Sequence, residues 1–184
     1  MVKIGLQIKA NLENVTNLTA VGDDFRWFLK IRNTFTTSFN IQFTCANCGE
    51  ASDKWLYLTA EAFKKQETDC ILIKEKMPIK GSRGEANLVL KCKLCSRENT
   101  VSLIENSLST YTIDDSNNFK TIVAFECRGV EPNDFSARNG FSAEGVESNT
   151  KFENINLEED WVDYDEKSKE SVGIYELTHK FIKL

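Results

Sequence analysis

Hydrophobic and polar positions alternate along the opening of the chain with a period of two. Val2, Ile4, Leu6, Ile8, Ala10 and Leu12 fall on one side, with Lys3, Gln7, Lys9, Asn11 and Glu13 on the other. That period predicts a half-buried strand. A turn is expected at Val21-Gly22-Asp23-Asp24, after which Phe25, Trp27, Leu29 and Ile31 alternate again. Phe39, Ile41 and Phe43 carry the same pattern toward a first pair of cysteines. Beyond it, Lys54 to Leu58 reads as a strand and Thr59 to Thr68 as one short helix. Pro78 and Gly81-Ser82-Arg83-Gly84 predict a loop. Ala86, Leu88 and Leu90 lead into a second cysteine pair, and Thr100 to Ile104 leaves it. Phe119, Thr121, Val123, Phe125 and Cys127 are expected on one face of a later strand, and Val172 to Ile182 forms a last one.

Strand signals dominate and no long amphipathic helix appears. The expected fold is all-β, an antiparallel sandwich or barrel-like architecture. With 184 residues, the chain fits a single compact unit spanning 1–184.

The cysteines sharpen this picture. Cys45-Ala46-Asn47-Cys48-Gly49-Glu50 and Cys92-Lys93-Leu94-Cys95-Ser96-Arg97 are two C-x2-C pairs, each at a junction between expected strands. Zinc favours soft thiolates in a tetrahedron, and C-x2-C lets one tight turn present two sulfurs to the same ion. Cys45, Cys48, Cys92 and Cys95 are therefore the expected ligands of one Zn2+ ion. The site would be an embedded zinc ribbon over about 41–105. Gly49 suits the backbone just past a knuckle, where positive φ is often needed. Ser96 suits it less, so the second turn is expected to differ. The 43 residues from Gly49 to Lys91 exceed the ~15–20 of the common pattern. Loop closure costs rise slowly enough to allow this.

Other chemistries compete for the same residues. A redox dithiol needs only one pair, normally at a helix start, and the strand-like flanks argue against it. Spacing alone leaves an iron–sulfur cluster open. Catalytic zinc needs an open coordination position, which four thiolates do not leave. Cys127 reads as a small core hydrophobe, and Cys70 lies between the knuckles.

Charge and absent motifs narrow the function. The net charge of −5 argues against nucleic acid, because phosphate binding rests on Lys and Arg. The acids concentrate between Glu153 and Glu170, a run expected to be a solvated loop or helix face. No apolar stretch approaches the ~18 residues of a membrane helix, so no membrane partner is expected. The alternating N-terminus lacks the apolar core of a signal peptide, which makes the cytoplasm, with the nucleus as an option, the expected location. The one histidine, His179, alternates with Tyr175, Leu177 and Phe181 and reads as a packed strand residue. No phosphate-loop, dinucleotide or nucleophile-elbow motif is present, so no catalytic or organic-cofactor residues are assigned.

Several runs together resemble the eukaryotic CXXC-motif-containing zinc-binding protein family. They are the two knuckle segments, Gly81-Ser82-Arg83-Gly84, FKTIVAFECRGVEP (Phe119 to Pro132), GFSAEGVES (Gly140 to Ser148) and DWVDYDEKSKESVGIYEL (Asp160 to Leu177). The resemblance implies an all-β fold with zinc on the two pairs, and no established reaction. Asn33 to Gln42 and about Phe63 to Lys74 depart from the family pattern by their length. The leading expectation is a non-enzymatic protein-interaction module, with other proteins as partners. Trp161, Tyr164 and Tyr175 are candidate contact groups. The alternative is metal handling, as a zinc or copper carrier or sensor, and an enzyme with a site away from the zinc ranks behind both.

Overall fold

A computed structural model describes residues 1–20, 27–31, 47–49, 56–58, 77–79, 85–92 and 94–184. It is all-β, as expected, with a single 3-10 turn at Ile113–Asp115 among the described residues. Its main layer is a six-stranded antiparallel sheet built on β1 (Val2–Glu13). β1 pairs on one side with the C-terminal β14 (Glu170–Lys183), which in turn pairs with β13 (Trp161–Asp165). On its other side come β9 (Lys120–Arg128), β8 (Glu98–Leu103) and β7 (Leu88–Lys91). The sheet curls into a half-barrel whose two edges are β13 and β7.

Three smaller sheets complete the fold. β2 (Val15–Ala20), β11 (Phe141–Gly145) and β12 (Lys151–Ile155) form one, in the order β12–β11–β2. β3 (Trp27–Ile31), β4 (Leu56–Leu58) and β10 (Pro132–Ser136) form another. β5 (Met77–Pro78) pairs antiparallel with β6 (Glu85–Ala86), and the loop expected at Gly81-Ser82-Arg83-Gly84 lies outside the described residues.

The core follows from the opening alternation. Ile4, Leu6, Ile8, Ala10 and Leu12 are all buried, and they join Val123, Phe125, Val172 and Ile174 from neighbouring strands. Val15, Leu18, Phe141 and Ile155 of the small sheet close over them in the same cluster. Tyr111 is fully buried there. Its hydroxyl lies 2.6 Å from the Asp115 carbonyl, and it accepts the Ala10 N–H at 3.2 Å.

Some expectations need correction. The chain already bends at Asn14, with φ +55, and starts β2 at once. The expected turn at Val21 to Asp24, the strand around Phe39 to Phe43 and the helix at Thr59 to Thr68 lie outside the described residues. Phe119 is not part of the apolar face of β9. It precedes the strand, is 40% exposed and carries the Lys180 ammonium 3.9 Å above its ring. The pairing Leu6↔Val123 is followed by Gln7↔Thr121, a bulge at Ile122 that breaks the period of two. Ile122, Val123, Ala124 and Phe125 are consequently all buried.

The acidic run also differs from its expected form. It is strand, turn and strand rather than a helix face, and it includes the buried Asp165. Asp165 accepts the hydroxyls of Ser148 and Thr150, and the backbone N–H groups of Lys167 and Ser168. The Ser148 hydroxyl chiefly holds this carboxyl below its ordinary range; burial opposes the shift, and the other three donors reinforce it. Gly145 makes room for the arrangement, since a Cβ there would sit 2.5 Å from Ser148 Oγ and 2.6 Å from Asp165 Oδ2.

Candidate metal centre

The second knuckle is the tip of the β7–β8 hairpin. Lys91 pairs with Glu98, and the Cys92 N–H donates to the Arg97 carbonyl at 2.8 Å. This closes a tight turn that buries Cys92, leaves Cys95 half-buried and exposes Leu94. Ser96 adopts φ +56. It does so although a serine was expected to make a different turn from the first knuckle, where Gly49 has φ +75. Both residues just past the second cysteine are therefore left-handed. At Gly49 the conformation, not crowding, favours glycine, since a Cβ there would meet nothing within 4 Å.

The first knuckle approaches this tip. Cys48 Sγ lies 3.5 Å from Cys92 Sγ, and the sulfurs of Cys48, Cys92 and Cys95 all lie within 4.8 Å of one another. A disulfide would need about 2.05 Å. A tetrahedron with Zn–S near 2.3 Å has edges of roughly 3.8 Å. The three thiols thus have the spacing of metal ligands, not of a covalent bridge, and a soft ion such as zinc fits them. The Arg97 guanidinium also donates to Asn47 Oδ1 at 3.1 Å, joining one knuckle to the other.

The structure therefore brings together three of the four expected ligands. Cys45, the fourth, lies outside the described residues, as does Cys70. Cys127 takes no part in the cluster. It is buried in β9, and burial, with the charges of Glu131 and Glu126, pushes its thiol up to about 12. His179 packs edge-on against Phe135, with ring centroids 5.7 Å apart. Its Nε2 accepts the Phe135 N–H at 3.2 Å and lies 3.2 Å from Asp134 Oδ1. This is the packed strand histidine that the alternation predicts.

Residues 34–182 match the family described as CXXC motif containing zinc binding protein, eukaryotic. The chain belongs to that family. A human member named CXXC motif containing zinc binding protein is 52% identical over 184 residues, spanning 100% of this chain and 99% of its own length. The crystal structure of C1orf123 superposes with a TM-score of 0.81 at 50% identity, covering 99% of each chain. A hypothetical protein from Plasmodium falciparum, 24% identical, superposes at 0.76 over 99% of this chain and 100% of its own, a likeness of fold alone. The family description matches the chemistry of the cluster, in which clustered thiols stand ready for a thiophilic ion.

The Asp165 node gave no clear sequence signal. Its ligands Ser148 and Thr150 lie across a strand and a turn from it, and a carboxylate among exposed acids is indistinguishable from its neighbours until the hairpin forms.

Proposed function

We propose that Cys45, Cys48, Cys92 and Cys95 hold one zinc ion in a closed shell, as a zinc ribbon embedded in the half-barrel. We further propose that the protein acts as a non-enzymatic interaction module of the cytoplasm or nucleus. The observation that carries the reading is the convergence of the Cys48, Cys92 and Cys95 sulfurs within 4.8 Å of one another, on two turns joined by the Arg97–Asn47 hydrogen bond. Four thiolates would fill the coordination of the ion and leave no position for substrate. The role left to such an ion is to fix the two knuckles and the surface around them, including the exposed Leu94.

Elemental analysis of purified protein tests the metal, with one zinc per chain expected. Affinity capture from cell extract, with zinc-loaded and chelated protein, tests the module. Reproducible partners that depend on zinc support it, and their absence in both states overturns it. The exposure of Cys48 favours metal delivery as the second reading. Exchange of bound zinc with free isotope within seconds would favour delivery, whereas retention over hours would favour a structural ion.

A further inference from the structure

The β13 edge of the half-barrel is open among the described residues, and its surroundings are chemically distinctive. Val162 and Tyr164 are 59% and 54% exposed at alternate positions of this strand. They lie opposite Gly173 and Ser171 of β14 and so share the outer face. Two residues beyond Gly173, Tyr175 folds its ring back over the bare glycine, where a Cβ would collide with the phenol ring and its oxygen. Its hydroxyl donates to Glu13 Oε2 at 2.8 Å. The hydrogen bond to Glu13, burial and the charges of Glu13 and Asp160 all raise the phenol above its ordinary value.

Asp163 Oδ1 accepts the Tyr164 N–H at 2.8 Å. Tyr164 N–H therefore points outward rather than to β14, and by the alternation of an antiparallel ladder so does that of Val162. An exposed carboxylate that occupies an outward N–H of an open edge is a guard against neutral or acidic strands, including a second copy of the same edge. A lysine or arginine would replace that guard with an ion pair, and the exposed tyrosine offers a face for the same cation.

We propose that β13 is a docking edge for a basic, extended segment of a partner protein, which adds as a strand beside Val162 and Tyr164. This names a surface for the interaction module inferred above and rests on that reading. Backbone pairing would supply affinity, while the apolar pair and surrounding acids select alternating apolar and basic residues.

The test uses the full zinc-loaded chain and a labelled peptide of about eight residues, near the usual strand length, alternating lysine with valine. A glutamate-for-lysine peptide serves as control. The expected result is saturable binding of the basic peptide, weakened at about 0.5 M salt, with slowed amide exchange at Val162 and Tyr164. Tyr164→Ala should weaken binding by roughly fivefold or more. As an exposed substitution it should leave the melting temperature unchanged, and Val162→Lys provides a second variant if it does not. Equal binding of both peptides, protection elsewhere, or dimers joined through β13 would overturn the proposal. So would cellular partners that the combined Val162→Lys and Tyr164→Lys variant retains. Their retention would leave the interaction reading standing, whereas an absence of partners for the unaltered protein would remove that reading itself.

Discussion

Arg97 donates its guanidinium N–H to the side-chain carbonyl of Asn47 at 3.1 Å, across the gap between two knuckles far apart in sequence. The contact is exposed, so its own contribution to stability is about 0.5–1.5 kcal/mol. Its larger effect is on geometry, because it ties the turn that carries Cys48 to the turn that carries Cys92 and Cys95. Arg97→Ala is expected to keep one zinc per chain but to surrender it faster to a chelator. Cys92→Ser and Cys95→Ser should lose the metal, while far-UV circular dichroism still reports the β1–β9–β14 sheet, whose buried strands lie outside the knuckles. Zinc analysis and a colorimetric chelator assay check both expectations. Global loss of β signal in the cysteine variants would show that the sheet itself depends on the ion.

Tyr111 ties the small sheet to the large one. Its backbone pairs with Leu18, and its buried hydroxyl serves the Ala10 N–H and the Asp115 carbonyl. Tyr111→Phe keeps the ring and removes only the hydroxyl, leaving those groups without it. The expected loss is about 1–3 kcal/mol in urea unfolding, with an unchanged m-value. A smaller loss than that would mean that water replaces the hydroxyl.

Asp165 links pH to stability. Its carboxyl is held below its ordinary value in the fold, so the ionised form is preferred there over the unfolded chain. The stabilisation is full above the unfolded pKa, near 4, and is lost as pH falls through the lower folded pKa. Asp165→Asn should therefore reduce the melting temperature at pH 7 and flatten its fall below pH 4. Gly145→Ala attacks the same node by crowding and should cost about 1–3 kcal/mol at any pH in that range. Thermal melts across an acid series distinguish the two.

How legible these features were depends on the range of the interactions behind them. β1 was visible because its burial alternates from Leu6 to Glu13, although Val2 is exposed and Gly5 buried. β14 was visible in two runs, since the pairing shift between Lys9 and Asn11 moves its core-facing positions from Val172 and Ile174 to Leu177 and Phe181. β9 was half visible: the bulge at Ile122 is a response to pairing with β1, which no local pattern records. β2 was hidden by its lack of alternation, since Val15 and Leu18 are its buried positions and lie three residues apart. The thiols were legible by chemistry alone, through two C-x2-C pairs, although their mutual spacing depends on the hairpin tip meeting the first turn. Asp165 was illegible because a buried carboxylate has the same letter as its solvated neighbours.

Cys127 offers a check that separates core thiols from ligand thiols. It is 1% exposed, and its pKa is pushed up to about 12, so almost no thiolate exists at pH 8. Reagents attack the thiolate, and burial denies them access as well. In native zinc-loaded protein Cys127 should remain unmodified by iodoacetamide over hours at pH 8. Chelation should raise the labelling of Cys48 and Cys95 first, because they are the more exposed members of the cluster. Denaturant should then release Cys127. Peptide mass mapping after each step reads the order directly. Labelling of Cys127 before Cys48 would mean that β9 opens more readily than the knuckles, and that the sheet depends on the metal centre more than its buried core indicates.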